Sequence, residues 1–190
     1  GATITVTYTA HLNENAAVNG SAENKNSVRL QYSNNPRPDG EYWGYTPESA
    51  VCVYTYQLNN TKYRDDDTTG NELAGAGFRL YSDKDCTEEQ EIKLKKNTTD
   101  GTYSPYFGTD AGDEMFSDEH GQFNVKGLDA GTYYLRETKT PDGYSACADK
   151  KIVISATHTE YNVNLSGESN LNNKIINIKA GGIFVQYNWN

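Results

Sequence analysis

The stretch 131-GTYYLRETKTPDGY-144 decides how the chain is read. In an extended segment alternate residues share a face, so Tyr133, Leu135 and Glu137 point one way and Tyr134, Arg136 and Thr138 the other. If Leu135 faces a core, Glu137 follows it. A lone carboxylate removed from water is costly or else holds its proton, so an acid in this phase implies a use for a buried acid. The plainer alternative is a strand-end carboxylate paired with Arg136 or Lys139 at the surface.

Strand signals surround this segment. "ATITVTYTAHL", "NSVRLQYS", "AVCVYTYQL", "AGFRLYS", "GQFNVKGL", "KKIVISA", "TEYNVNL", "NKIINIK" and "GGIFVQYNW" are short, rich in β-branched or aromatic residues, and bounded by Gly, Asn, Asp or Pro. Only "CTEEQEIKLKK" is ambiguous between strand and helix. The pattern predicts an all-β chain: an immunoglobulin-like β-sandwich over 58–180, preceded by part of a second β-sandwich over 1–57. A boundary is expected near 58–62, ahead of the charged turn "YRDDDTTGNE". About 57 residues are few for a sandwich with its own core, so the first unit reads as incomplete. Residues 181–190 read as one more strand or a tail, with Val185, Tyr187 and Trp189 on one face. That segment either pairs with the first unit, in the same molecule or a neighbour, or is a remnant of the path to an anchor.

Composition narrows the function. Seventeen Lys and Arg against 26 Asp and Glu leave a net charge of −9, which argues against nucleic acid or an anionic membrane as partner. Fifteen Tyr against five Phe and one Met suit strands with wet outer faces. No apolar run approaches a membrane span. The sequence reads as starting after any targeting signal and stopping before any anchor. Cys52, Cys86 and Cys147 lack the spacing of a zinc site. Cys86 and Cys147 lie in turn-like sequence and are either joined as a disulfide or free; Cys52 reads as a strand residue. The acids of the 63–72 turn could hold calcium but fit a solvated turn better. No metal or cofactor is implied.

The combination "NELAGAGFRLYSDKDC", "GQFNVKGLDAGTYYLRETKTPDGY" and "KIINIKAG" resembles the B-type repeat of the collagen-adhesin family found in the backbone pilins of Gram-positive bacteria. "ITVTYTAHLNENA", "NKNSVRLQYSNNP" and "VYTYQLNNTK" resemble the closing half of the pilin domain that precedes such a repeat. The resemblance implies an intramolecular isopeptide bond between Lys62 in "NNTK" and Asn177 in "IINIK", promoted by Glu137 as the catalytic acid. It also offers Asn26 in "NSVRLQY" as the bonding asparagine of the first unit, whose lysine and acid would lie upstream of Gly1. The residue types suit that chemistry. A lysine among apolar side chains is pushed toward the nucleophilic amine, and a buried acid can donate a hydrogen bond to the amide oxygen and help ammonia leave.

The resemblance further implies a structural subunit of a surface pilus or adhesin stalk, outside the cell in the wall or fimbria, with other pilin subunits as partners. The alternative is an adhesin tip that binds a host surface ligand through the loops around 36–47, which carry Tyr42, Trp43 and Tyr45, and 96–118. A hydrolase using Glu137 is the third class, but a glycosidase needs a second acid across an open cleft.

Overall fold

The computed structural model describes residues 3–13, 15–18, 24–34, 42–159, 162–165 and 169–180. Among them every regular element is a strand except one turn of 3-10 helix, Glu88–Gln90. The ambiguous segment around it resolves into that turn followed by a strand.

The first part of the chain is thinly paired. β1 (Asn24–Val28) lies antiparallel to β4 (Ser49–Val53), with Asn26 opposite Val51. β2 (Gln31–Ser33) and β3 (Trp43–Tyr45) form a separate hairpin. The strand expected over 2–12 does not form among the described residues 3–12. Ile4, Val6 and Tyr8 alternate as a strand would but stand exposed, and among the described residues this segment enters no backbone ladder, which is what holds an extended segment in place. Trp43 and Tyr45 of the aromatic loop are exposed too. Residues 36–41 of that loop lie outside the described residues. So does 181–190, with Val185, Tyr187 and Trp189.

The run expected as one strand over 50–58 is two. β4 stops at Val53 and β5 (Tyr56–Arg64) starts after Thr55, whose buried hydroxyl donates to the Ala17 carbonyl at 3.0 Å. The break between β4 and β5 thus lies at Tyr54–Thr55, and β5 runs without interruption through residues 58–62. Its period is clean: Tyr56, Leu58, Asn60 and Lys62 are buried while the residues between them are half-buried.

From β5 onward the chain is a β-sandwich. The remaining strands are β6 (Gly77–Tyr81), β7 (Leu94–Lys96), β8 (Tyr103–Pro105), β9 (Met115–Phe116), β10 (Val125–Leu128), β11 (Gly131–Lys139), β12 (Lys150–Ile154), β13 (Ala156–Thr159), β14 (Asn162–Leu165) and β15 (Asn172–Asn177). One sheet has the order β15-β5-β10-β8-β7 and the other β12-β11-β6-β9, while β13 and β14 form a hairpin. Between the two sheets Tyr56, Leu58, Val125 and Ile175 meet Phe78, Leu80, Leu135 and Ile152 in one buried cluster. β15 runs parallel to β5, from Asn172 opposite Asn59 to Asn177 opposite Arg64, so the chain enters the sandwich at one end and leaves it at the other.

The 96–118 segment is not the free loop its length suggested. β7 and β8 form a hairpin, and β9 joins the edge of the second sheet. Tyr103 and Met115 are core residues, and the Tyr103 hydroxyl accepts the Phe116 N–H at 3.0 Å. All three cysteines are free. Cys86 Sγ faces Asp149 at 3.7 Å, and Cys147 and Cys86 are not bridged.

The backbone of Lys62 is held from outside the β5–β15 ladder. Its N–H donates to the Gly121 carbonyl at 2.8 Å and its carbonyl accepts the Leu73 N–H at 2.9 Å. Gly121 has φ +71°, and a Cβ there would stand 2.4 Å from the Lys62 carbonyl oxygen. We expect Gly121→Ala to cost roughly 2 kcal/mol or more, combining left-handed strain with a backbone clash. Gly143→Ala, at φ +83° with open space around it, should cost about 1 kcal/mol from strain alone. Denaturant midpoints of the two variants check the ordering, and equal losses would contradict it.

Candidate functional site

Lys62, Glu137 and Asn177 meet at one point between the sheets. Lys62 is the last buried position of β5. On β15 the inward positions are Asn173, Ile175 and Asn177, and the register sets Ile175 opposite Lys62. Asn177 is thus one inward step further along, a distance the four-carbon stem of the lysine spans. Glu137 comes from the facing sheet. On β11 it follows Tyr133 and Leu135 on the inward face, opposite Phe78 of β6, and its side chain has no solvent exposure.

The polar atoms close a ring. Lys62 Nζ donates a short hydrogen bond to Asn177 Oδ1 and stands 3.4 Å from Glu137 Oε1. Asn177 Nδ2 donates to that same Oε1 at 2.8 Å. The other carboxylate oxygen, Oε2, accepts the backbone N–H of Cys147 at 2.9 Å. The Phe78 ring lies 5.4 Å from Nζ and is itself stacked on Phe123, with centroids 4.2 Å apart.

Lys62 and Asn177 are 0 % exposed. Burial pushes the Lys62 ammonium below its ordinary pKa of 10.5, against the opposing pull of Cys147 and Glu137. Burial likewise pushes the Cys147 thiol up. The arrangement therefore shifts the lysine toward its amine form relative to a free side chain while keeping it against an amide. The Glu137 side chain, like Lys62 and Asn177, has no solvent exposure.

Two details differ from the sequence expectation. The acid was expected to donate to the amide oxygen; instead the amide turns its oxygen to Lys62 and its nitrogen to Glu137. The surface pairing considered for Glu137 is absent: Arg136 is taken by Asp149, with contacts of 2.6–3.1 Å, and Lys139 lies over the Phe116 ring. Asn26 stands apart, exposed on β1, and its amide donates to the Tyr8 hydroxyl.

The Cys147 N–H was not foreseen as a partner. It reaches Glu137 because the turn after β11 folds back onto the residues after β15, with Ser145 N donating to the Ile178 carbonyl at 2.9 Å and Ala180 N to the Gly143 carbonyl at 3.0 Å. Nothing in the local sequence marks that contact. The Phe78 roof did leave a signal, the alternation of Phe78 with Leu80 in "GFRLY".

With the geometry in hand, comparison with known proteins is informative. No curated protein matches the chain. Among solved structures, the C-terminal domain of the shaft pilin SpaA from Lactobacillus rhamnosus GG is 22% identical, with a TM-score of 0.46 over 66% of this chain and 98% of that one. The minor pilin GBS52 of Streptococcus agalactiae is 21% identical, with a TM-score of 0.48 over 74% of this chain and 57% of that one. The pilus 2b backbone protein of group B streptococcus is 27% identical, with a TM-score of 0.46 over 76% of this chain and 46% of that one. The chain thus spans about half the length of the two longer pilins. The family model described as the SpaA prealbumin-like fold domain matches residues 57–169. That stretch is more than half of the chain and holds β6 to β14 with nearly all of β5. The chain belongs to the SpaA prealbumin-like fold domain family.

Proposed function

We propose that Lys62 and Asn177 condense into an intramolecular isopeptide bond, with Glu137 as the proton carrier, and that the sealed sandwich is a structural subunit of a surface pilus. The observation that carries this reading is the closed ring of lysine, asparagine and glutamate, fully buried and built from two sheets. A buried ion pair beside a buried amide is a poor way to stabilise a fold, since desolvation of both charges offsets most of their attraction. As a reacting set the same three groups are well placed.

The step balances without any co-reactant. The neutral Lys62 amine attacks the Asn177 amide carbon, and the C–N bond to the amide nitrogen breaks. One oxygen, Glu137 Oε1, lies within reach of both nitrogens, at 3.4 Å from Nζ and 2.8 Å from Nδ2. It can take the proton that Nζ sheds and return it to the departing nitrogen. The products are one amide and one ammonia. Glu137 ends as it began.

The position of the link suits a load-bearing role. β5 and β15 are parallel neighbours, so tension on the chain at either end of the sandwich would slide one past the other. A bond between Lys62 and Asn177, 115 positions apart in sequence, carries that load directly, and the chain between them bears none. Family membership and this topology support a fibre subunit outside the cell, with other subunits of the fibre as partners.

Three outcomes are expected. The intact mass of the purified chain should fall short of its sequence mass by one ammonia, and Glu137→Ala should restore the full mass while the chain stays folded. A wild-type chain at full mass would overturn the reading. The rate of ammonia loss should rise with pH: the reacting form is the neutral amine, and a pKa depressed below 10.5 brings that form in at lower pH than for a free lysine. Timed mass spectra of freshly synthesised chain at several pH values test the sign, and a rate falling with pH would contradict it. Finally, Lys62→Ala should melt roughly 10–20 °C lower, from the loss of about 4–5 kcal/mol of loop-closure stabilisation. Reductant should leave the wild-type melt unchanged, because no disulfide is involved.

A further inference from the structure

One inward step from Lys62 and two from Asn177, β5 and β15 carry a second polar layer. Asn60 and Asn173 are 0 % and 2 % exposed and stand opposite each other in the register. Asn173 Nδ2 donates to Asn60 Oδ1 at 3.1 Å, and Asn60 Nδ2 donates to the Phe123 carbonyl at 3.2 Å. Asn173 Oδ1 is buried with no hydrogen-bond partner. On the outer face the adjacent rung repeats the pairing, Asn59 Nδ2 donating to Asn172 Oδ1 at 2.9 Å.

Stability does not account for this layer. An orphaned buried acceptor costs about 1–3 kcal/mol, whereas an apolar pair of similar shape is close to neutral. Register does account for it. Side chains alternate with period two, so a slip of one residue would turn β15 inside out and the apolar pattern forbids it. A slip of two residues keeps every apolar side chain on its proper face, and the pattern is blind to it. Such a slip would carry Asn177 roughly 6.6 Å along the strand: in one direction beyond the reach of Lys62, and in the other to the position directly opposite Lys62 but away from Glu137, whose Oε1 it meets in the native register. It would also set Asn173 against Lys62 or Leu58 and Asn60 against Leu171 or Ile175, breaking both amide pairs.

We propose that the Asn60–Asn173 and Asn59–Asn172 pairs are a register pin that sets Asn177 within reach of Lys62 and Glu137 at once. They are positioning residues for the isopeptide reaction, and the proposal rests on that reading of the site. The slip they exclude is the one that hydrophobic burial cannot detect.

The test uses the full chain made by cell-free synthesis, with intact mass read at fixed times after translation stops. Asn60→Val/Asn173→Val removes both amides and fills the layer. In a Glu137→Ala background, where no link forms, this double variant should melt within a few degrees of Glu137→Ala alone, because the lost bond to the Phe123 carbonyl is offset by relief of the orphaned Asn173 oxygen. With Glu137 intact it should link about tenfold more slowly than wild type, a difference of ~1.4 kcal/mol in barrier. Slow linking without loss of stability is the signature of positioning, and a merely structural role would move the melt instead. Linking within about twofold of wild type overturns the proposal. If the valine pair does not fold, the exposed rung decides: Asn172→Thr removes the bond to Asn59 at a surface position, and wild-type linking in that variant overturns it equally. A wild-type chain at full mass would remove the underlying isopeptide reading and this proposal together, whereas a linked wild type with unaffected variants removes only the pin.

Discussion

Everything in the second half of the chain is arranged around a lysine amine with no access to water. Taking an ammonium and a carboxylate out of solvent costs several kcal/mol per ion after relaxation, and a single contact at 3.4 Å does not repay it. Around Lys62 the protein supplies what such a group requires: an amide oxygen to accept its hydrogen, a carboxyl from the opposite sheet, and the stacked rings of Phe78 and Phe123 to exclude water. Burial lowers the pKa of the amine and so raises the share of its neutral form, the form that can act as a nucleophile.

The division of the site between sheets has a consequence for the order of events. Lys62 and Asn177 share one sheet as neighbouring strands, while Glu137 stands on the other. The carboxyl therefore reaches the amide only when the two sheets have packed and the Phe78 face has closed. Under the proposed chemistry the covalent bond cannot precede the core; it seals a sandwich already assembled. Bond formation then reports on folding, and a chain that packs its sheets poorly would stay unlinked.

The two halves of the chain contrast physically. From Tyr56 to Ile175 the strands bury a continuous apolar cluster. Before Thr55 the described strands pair in twos, with Val28, Val51 and Val53 exposed. Alternating sequence was present in both halves, but alternation states only that a segment has two faces; a partner must be present before one is buried. That is why "ATITVTYTAHL" reads as a strand and forms none over its described residues 3–12, while "TYSPY", with no strong signal of its own, is drawn into the five-stranded sheet by its neighbours β7 and β10.

The sequence by itself determined the all-β class and the in-phase placement of Glu137 with Leu135 and of Asn177 with Ile175, and through the family resemblance it singled out three residues that lie together in the structure. Those features are local, because period-two burial needs only neighbouring residues. The tertiary structure decided the rest. It placed the break between β4 and β5 at Tyr54–Thr55, where a hydroxyl bond to Ala17 interrupts a run that looks continuous. It turned the Asn177 amide so that its nitrogen meets Glu137, and it brought the Cys147 N–H onto the carboxylate by folding one turn against the end of β15. It paired Asn60 with Asn173 across two strands that lie 113 positions apart. Each of these depends on which segments lie side by side in space, and a chain read one residue after another carries no measure of that distance.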